Sequence, residues 1–288
     1  MKADGTAEVT AQRRFTGTRD GKLRPAYLVL RTLIPPTLGP PLMRALGLIP
    51  ARFASTRFPG KPLALLGDRP MIQRVVEQAR RSSSLARVVV ATDDARIADC
   101  VRGFGGEVVL TRADHPSGTD RVAEAYAGLG EEFDVVVNIQ GDEPFIEPAQ
   151  IDAVVDCFRR DSTAEIATLI RRVDSLESLL SPHVVKCVPD LHGRALLFSR
   201  QPLPYQRDRP VAEWLAHHAY WQHLGLYAYR PAALARITAL PPSPLELAES
   251  LEQLRWLENG LPIHVAVTEH ASIGIDTPED LARAAERA

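Results

Sequence analysis

Three cations follow the first predicted strand at short spacing. Arg52, Arg57 and Lys61 lie in the segment P-A-R-F-A-S-T-R-F-P-G-K-P-L, which also contains the small residues Ala51 and Ser55. Such cations neutralise phosphate oxygens, and backbone amides in a loop of small residues can approach a polyphosphate. The segment therefore predicts a triphosphate-binding loop that lacks the G-x-x-x-x-G-K-[ST] motif. The alternative is a solvated basic loop.

Two aspartates that are distant in the sequence have the character of metal ligands. Asp142 follows a run of valines in N-I-Q-G-D-E-P, and Asp276 precedes a helix start in G-I-D-T-P-E-D-L. Mg²⁺ in phosphate-transfer sites takes one or two carboxylates and completes its shell with water and phosphate oxygens. Taken separately, the two residues fit an ordinary turn and an ordinary helix start. Only a fold that brings them together makes them a magnesium site.

A third polar segment, A-D-H-P-S-G-T-D-R, could hydrogen-bond a base or a ribose. It contains His115 and Ser117 beside a glycine. The alternative is a helix-entry loop in which Ser117 or Thr119 caps the following helix.

The second half of the chain carries polar groups that could bind a carboxylated polyol. They are Arg200 after L-F-S, His223 and Tyr227 in the strand-like H-L-G-L-Y-A-Y, and Glu249 and Gln253 near the C-terminal end. A single helix starting after Ser243 would place Glu246, Glu249 and Gln253 on one face, because they are spaced i, i+3 and i+7. Core packing and a solvated helix face are the alternatives.

The elements that must position these residues alternate between short apolar runs and helical patterns, which predicts an α/β fold. The expected strands are 45–49, 87–91, 107–110, 135–139 and 165–170. The expected helices are 70–83, 95–104, 119–129 and 148–158. Residues 135–137 are all valine, which is typical of a central strand covered on both faces. Because open α/β sheets bind ligands at the carboxyl ends of their strands, the polar segments should meet there.

Two stretches depart from this alternation. Residues 179–230 combine β-like runs with a proline-rich loop, which predicts an inserted, smaller, mixed-sheet subdomain. Residues 1–42 lack a sustained period and are rich in proline, which favours a disordered extension. Because Met43 opens an apolar run that leads into the first predicted strand, we expect residues 1–42 to derive from an upstream start and residues 43–288 to form one domain.

Composition excludes several classes of protein. The chain has 288 residues, 45% of them hydrophobic, and a formal net charge of -2 that divides into +4 for residues 1–42 and -6 for the rest. A mildly acidic body argues against nucleic-acid binding, and no apolar run is long enough to span a membrane. The three cysteines, Cys100, Cys157 and Cys187, lack a C-x-x-C spacing, which favours a reducing, cytoplasmic location.

Taken in order, these motifs, together with S-P-L-E-L-A-E-S-L-E-Q-L-R, resemble the 3-deoxy-manno-octulosonate cytidylyltransferase family from Met43 to the C-terminus. The resemblance implies a nucleotidyltransferase-type Rossmann-like sheet, Mg²⁺, a homodimer, and transfer of CMP from CTP to 3-deoxy-manno-octulosonate (Kdo) for lipopolysaccharide synthesis. A cytidylyltransferase for another acidic sugar, such as an N-acylneuraminate or an amino-substituted Kdo, is the alternative within the class. A nucleotide-sugar glycosyltransferase is the alternative outside it, although its usual D-x-D motif is missing.

The resemblance also implies roles for individual residues. Arg52 and Lys61 would hold the triphosphate, and Asp142 and Asp276 would bind magnesium. The nucleotide site as a whole would comprise Ala51, Arg52, Ser55, Arg57, Lys61, His115, Ser117 and Gln140. The sugar pocket would comprise Arg200, His223, Tyr227, Glu249 and Gln253.

Overall fold

The computed structural model describes residues 43–54 and 57–286. The expectations for residues 1–42 and for Ser55 lie outside this part of the chain. Within it, the strands are β1 Ala45–Ala51, β2 Leu65–Leu66, β3 Arg69–Pro70, β4 Leu85–Thr92, β5 Glu107–Leu110, β6 Val135–Asn138, β7 Ile166–Arg172, β8 Lys186–Pro189, β9 Ala195–Ser199, β10 Trp221–Tyr229 and β11 Ile263–Val267. The helices are α1 Met71–Ala79, α2 Ala95–Gly103, α3 Gly118–Gly128, α4 Pro148–Arg160, α5 Leu176–Leu180, α6 Trp214–His217, α7 Pro231–Thr238, α8 Pro244–Glu249, α9 Glu252–Glu258 and α10 Pro278–Ala285.

Nine of these strands form one mixed, mostly parallel sheet. Its main order is β11-β7-β10-β6-β1-β4-β5, with β8 paired to β10 and β9 paired to β8. The strands β6, β1, β4 and β5 are mutually parallel, whereas β10 runs antiparallel to both of its neighbours in the main order. The predicted α/β class with helices flanking a mostly parallel sheet is therefore confirmed.

Helices cover both faces of the sheet and bury its strands. One apolar cluster joins the sheet to α1, α2 and α4, and the other joins it to α3, α7 and α9. Val135 and Val137 belong to the first cluster and Val136 to the second, and all three are fully buried. Successive side chains of a strand point to opposite faces of the sheet. A central strand that is covered on both faces therefore needs an apolar residue at every position, which the valine run provides.

The predicted smaller region, 179–230, is only partly separate from the main sheet. Its strands β8 and β9 form an antiparallel hairpin on one end of β10. Strand β10 itself pairs with both β7 and β6 inside the sheet. The residue pattern predicted these β stretches, but it could not show that the last of them, β10, is a strand of the main sheet.

The single helix predicted after Ser243 is wrong. The chain forms α8, then Ser250 adopts a left-handed conformation with φ of 52°, and α9 begins at Glu252. The break rotates the later residues away from the earlier ones, so Glu246, Glu249 and Gln253 do not share one helical face. Glu246 instead forms an ion pair with Arg255.

None of the helices formed by residues 43–54 and 57–286 combines the length and the apolar character needed to cross a bilayer.

Candidate active site

The loop after β1 folds back on itself through Phe53 and Gly60. The N–H of Gly60 donates a hydrogen bond to the carbonyl oxygen of Phe53 at 2.9 Å. Gly60 has φ of 71°, and a Cβ there would lie 3.0 Å from the Phe53 ring, so this turn favours glycine on both counts. The guanidinium carbon of Arg96 lies 3.4 Å from the centroid of the same ring. Lys61 thus follows directly after a packed turn.

Asp142 lies in a turn directly after the last residues of β6. A Cβ on Gly141 would lie 2.8 Å from the carbonyl oxygen of Pro50, so glycine permits the close approach of this turn to the end of β1. The neighbouring Glu143 is less free to ionise, because burial, with a smaller contribution from the Asp142 carboxylate, raises the pKa of Glu143 to about 7. The turn therefore carries two adjacent acids, of which Asp142 contacts Lys61.

Asp276 reaches the same place from the C-terminal end of the chain. The N–H of the preceding Ile275 donates to the carbonyl oxygen of Asp142 at 2.9 Å. Asp280 accepts hydrogen bonds from the backbone N–H groups of Asp276 and Thr277, and Thr277 caps α10 in return. Because Asp280 satisfies the helix start, the carboxylate of Asp276 is left to contact other groups.

Lys61 joins the two acids. Its Nζ lies 2.7 Å from an Asp142 oxygen and 3.2 Å from an Asp276 oxygen. These two carboxylate oxygens are therefore no farther apart than the sum of 2.7 and 3.2 Å. Arg57 lies 3.1 Å from the other Asp276 oxygen. The structure thus brings together four of the predicted residues, drawn from three distant segments, and a cation already occupies the space between the two carboxylates.

A cleft of about 300 Å³ opens beside this cluster at the carboxyl ends of β1 and β6. Every predicted nucleotide-site residue that the structure describes lines it, namely Ala51, Arg52, Arg57, Lys61, His115, Ser117 and Gln140. Arg52 is exposed and forms no ion pair with any of residues 43–54 or 57–286. The lining of the cleft combines these cations and carboxylates with prolines, glycines and small polar groups.

The two residues predicted for the base also have local partners. The His115 ring contacts the carboxylate of Glu124. The Ser117 side chain accepts from the N–H of Asp120 at 3.2 Å, so it caps α3 as the alternative interpretation expected. Ser117 also donates to the Asp120 carboxylate at 2.7 Å and still lines the cleft. Capping fixes the position of this loop, and it does not remove the loop from the site.

Gln140 connects the cleft to strand β10. Its side-chain amide donates to the carbonyl oxygen of Gly225 at 3.1 Å. Because Gly225 lies between His223 and Tyr227, this bond fixes the end of β6 against the strand that carries two of the predicted sugar residues.

Arg200 and Glu249 contact each other and do not line the cleft. The guanidinium of Arg200 donates to the carbonyl oxygens of Glu249, Pro182 and Ser250. The Glu249 carboxylate accepts from the backbone N–H of Arg200 and from the hydroxyl of Ser199. In this structure the pair holds the end of α8 to β9.

His223, Tyr227 and Gln253 are also not among the described residues that line the cleft. The rings of His223 and Tyr227 are 5.2 Å apart, and the Thr168 hydroxyl lies 3.0 Å from Nε2 of His223. Burial lowers the pKa of His223 to about 3, so the ring is neutral near pH 7. The Tyr227 hydroxyl is buried and has no hydrogen-bond partner among the described residues. Gln253 is buried at the start of α9.

Glu252 is a residue of this region that the sequence reasoning missed. It accepts hydrogen bonds from Ser117 at 3.3 Å and from Thr119 at 3.0 Å, so it ties α9 to the loop that lines the cleft. Burial raises the pKa of Glu252. The motif that contains Glu252 was identified, but nothing distinguishes this residue in the single continuous helix that we predicted. Only the break at Ser250 turns Glu252 toward the cleft loop.

Arg121 was missed for a different reason. It lines the cleft and is buried, yet it stands inside a helix where a charged residue usually faces solvent.

Comparison with known proteins agrees with this geometry. A family model described as cytidylyltransferase matches residues 46–266. A 3-deoxy-manno-octulosonate cytidylyltransferase of Parabacteroides distasonis is 55% identical over 247 residues, which is 84% of this chain and 97% of that protein. The enzyme of the same name from Phocaeicola vulgatus is 55% identical over 245 residues, which is 84% of this chain and 96% of that protein.

A solved structure extends the likeness to three dimensions. It is a CMP:2-keto-3-deoxy-manno-octonic acid synthetase complexed with CTP, 40% identical in sequence, with a TM-score of 0.79 over 85% of this chain and 98% of that one. The chain therefore belongs to the 3-deoxy-manno-octulosonate cytidylyltransferase family.

Proposed function

We propose that this chain transfers CMP from CTP to the anomeric hydroxyl of Kdo and releases pyrophosphate, the step that activates Kdo for lipopolysaccharide synthesis. The observation that carries the proposal is the cluster of Lys61, Asp142 and Asp276 at the carboxyl edge of the sheet, in a chain 55% identical to enzymes named for this reaction. A cleft that combines such charges with neutral walls suits a nucleoside triphosphate.

Mg²⁺ is part of the proposal, and the donor set fits it. Asp142 and Asp276 offer two hard carboxylate ligands close together, and an ammonium group already lies between them, so the place attracts a cation. No group of three or more His, Cys, Asp or Glu side chains suited to a metal converges within the described residues. Mg²⁺ tolerates this, because it needs only one or two carboxylates when phosphate and water complete its shell.

The reaction asks this chain mainly for alignment and charge neutralisation. The Kdo hydroxyl oxygen attacks the α-phosphorus of CTP, the bond to the β-phosphate oxygen breaks, and the hydroxyl proton passes to solvent as pyrophosphate leaves. Arg52, Arg57 and Lys61 hold the triphosphate, and Asp142 and Asp276 hold the metal. When held there, Mg²⁺ would supply positive charge to the phosphates and lower the pKa of the attacking hydroxyl.

For the sugar acid, the proposal retains His223, Tyr227 and Gln253 as direct contacts. Their support is the unpartnered hydroxyl of Tyr227 and the bond from Gln140 in the cleft to Gly225, which lies between His223 and Tyr227 on β10. Arg200 and Glu249 take part as the pair that fixes α8 and therefore the start of α9.

A homodimer in the cytoplasm completes the proposal. Leu191 and Leu196, on the β8–β9 hairpin, are 79% and 63% exposed, and a partner subunit would cover them. The described cysteines are all free, as a reducing compartment would keep them. Analytical ultracentrifugation of the full chain and of Leu196→Glu tests the dimer, which the substitution should weaken.

Pyrophosphate release tests the activity. The full chain is incubated with CTP, Mg²⁺ and a panel of sugar acids that contains Kdo, an amino-substituted Kdo and an N-acylneuraminate. We expect Kdo to give the highest kcat/KM. A higher value for another acid would identify that acid as the substrate, and no release with any of them would refute the cytidylyltransferase proposal.

A further inference from the structure

Arg96 contacts the loop after β1 from outside the cleft. It stands in the first turn of α2 with its side chain 62% exposed, and it does not belong to the described residues that line the cleft. Its guanidinium carbon nevertheless lies 3.4 Å from the centroid of the Phe53 ring. A cation above an aromatic face at this distance is attracted by the ring quadrupole. Any contact of Arg96 with the nucleotide site therefore passes through Phe53.

Asp94 fixes the orientation of the Arg96 guanidinium. Nε and Nη2 of Arg96 donate to the two carboxylate oxygens of Asp94 at 3.0 and 2.6 Å, and this bidentate contact sets the plane of the guanidinium. Asp94 is itself held, because it caps α2 through the N–H of Arg96 and its own N–H donates to the Thr92 hydroxyl. The end of β4 thus positions the cation over Phe53 before any ligand binds.

Phe53 closes the loop at its base. Its ring packs against the apolar cluster that joins α2 to the sheet, and its carbonyl oxygen accepts the hydrogen bond from the N–H of Gly60. Arg52 directly precedes Phe53, and Lys61 directly follows Gly60. The two cations that the proposed function assigns to the triphosphate are therefore attached to one closure, so that a shift of Phe53 would displace both.

We propose that Arg96 is a positioning residue, which stacks on Phe53 and thereby holds the loop after β1 in the conformation that binds the triphosphate. Ordering a loop during binding costs free energy, and a loop that is already ordered avoids this cost. An exposed ion pair contributes little to the stability of a fold, so the contact with Asp94 matters mainly for the orientation that it gives to Arg96. The inference rests on the proposed function in taking CTP as the triphosphate.

The test compares nucleotides that differ in their phosphates. Calorimetric titration with Mg²⁺ and without Kdo gives Kd for CTP and for CMP in the wild type and in Arg96→Met, which keeps an unbranched side chain and loses the cation. We expect the Kd for CTP to rise about 2- to 5-fold relative to the Kd for CMP, the range for one exposed cation–π contact. Arg102→Met removes a charge that is 56% exposed at the other end of α2 and should leave both values unchanged.

A double-mutant cycle separates the stacking contact from the charge of Arg96. Phe53→Leu keeps an apolar side chain at the base of the loop and removes the aromatic face. Arg96→Met should therefore raise the Kd for CTP in the wild-type background and leave it unchanged in the Phe53→Leu background. The same fold-change in both backgrounds would show that Arg96 acts through its charge alone, and the proposal would be wrong.

Pyrophosphate release with Kdo gives a third measurement. In Arg96→Met we expect the KM for CTP to rise while kcat and the KM for Kdo stay unchanged, because the groups around the reacting atoms are retained. An equal rise of Kd for CTP and for CMP would indicate a general weakening of the site and would overturn the proposal. If CTP affinity changes as expected but the wild type releases no pyrophosphate, the proposed function fails while this inference stands.

Discussion

The backbone N–H of Ile275 donates to the carbonyl oxygen of Asp142 at 2.9 Å. This bond joins the turn after β6 to the segment before α10 and places Asp276 beside Asp142. Because the sheet and the α10 cap fix these backbone positions, only the short side chains of the two aspartates remain to set the spacing of their carboxylates. The acid pair is therefore preorganised before any substrate binds.

Loss of one acid should remove most of the activity. Asp142→Asn keeps the shape of the side chain but removes its charge, so we expect kcat to fall at least about 10²-fold, the effect of removing one preorganised charge-stabilising group. Pyrophosphate release at saturating CTP, Kdo and Mg²⁺ measures it. Asp99→Asn, at a side chain 75% exposed on α2, is the matched control and should retain full activity. Near-normal turnover in Asp142→Asn would remove this residue from the metal site.

Removal of the bridging cation should expose the acid pair to divalent ions. In Lys61→Met the carboxylates of Asp142 and Asp276 face each other without their ammonium partner, which favours binding of a divalent cation. We expect Mg²⁺ alone to stabilise this variant by about 1 kcal/mol or more beyond its effect on the wild type, a rise of about 2–4 °C in Tm. Thermal unfolding with Mg²⁺ and with a chelator measures the difference. An equal Mg²⁺ effect on both proteins would contradict the assignment.

Arg200 should act on stability as well as on the sugar site. Its guanidinium donates to three backbone carbonyl oxygens around the end of α8, so Arg200→Ala leaves these acceptors without that partner. We expect the free energy of unfolding to fall by about 1–3 kcal/mol. Denaturant titration measures it, and the KM for Kdo should rise because α9 loses its support. A higher KM with unchanged stability would instead point to direct sugar contact.

His223 should make the protein less stable in mild acid. Burial lowers its pKa from 6.5 to about 3, so between these values the unfolded chain binds more protons than the folded one. Its contribution to stability is present above pH 6.5 and is lost as pH falls toward 3. His223→Asn should reduce the loss between pH 7 and pH 5 by about 1–2 kcal/mol. Denaturant titration at both pH values measures this effect, and the exposed His192→Asn serves as the control.

Sequence alone predicted the parts of this site that depend on local order. The alternation of short apolar runs with helical patterns located β1 and β6. The glycine, proline and acidic residues that follow these strands identified the loop after β1 and the turn after β6. The start of α10 was equally clear, because Thr277, Pro278 and Asp280 form a complete capping box. These features are encoded within a few residues, so a reading along the chain finds them.

What sequence could not predict depends on contacts between distant segments. Lys61 meets both acids because the sheet order places β6, and with it Asp142, beside β1. The segment before α10 must also return to this edge of the sheet so that Asp276 reaches Lys61. The break at Ser250 is local but carries no glycine, and a left-handed serine is rare enough that a continuous helix was the natural expectation. Glu252 was therefore left unassigned.

The ammonium group of Lys61 competes with any divalent cation for the same two carboxylates, and because it is attached to the chain its local concentration never falls. A triphosphate offers that ammonium group other anionic partners. On the proposed assignment, nucleotide and metal therefore lower each other's dissociation constants. The coupling free energy is the free energy of moving the Lys61 ammonium group from Asp142 and Asp276 to a phosphate. On that assignment, the resting enzyme would discriminate against divalent cations that arrive without a nucleotide.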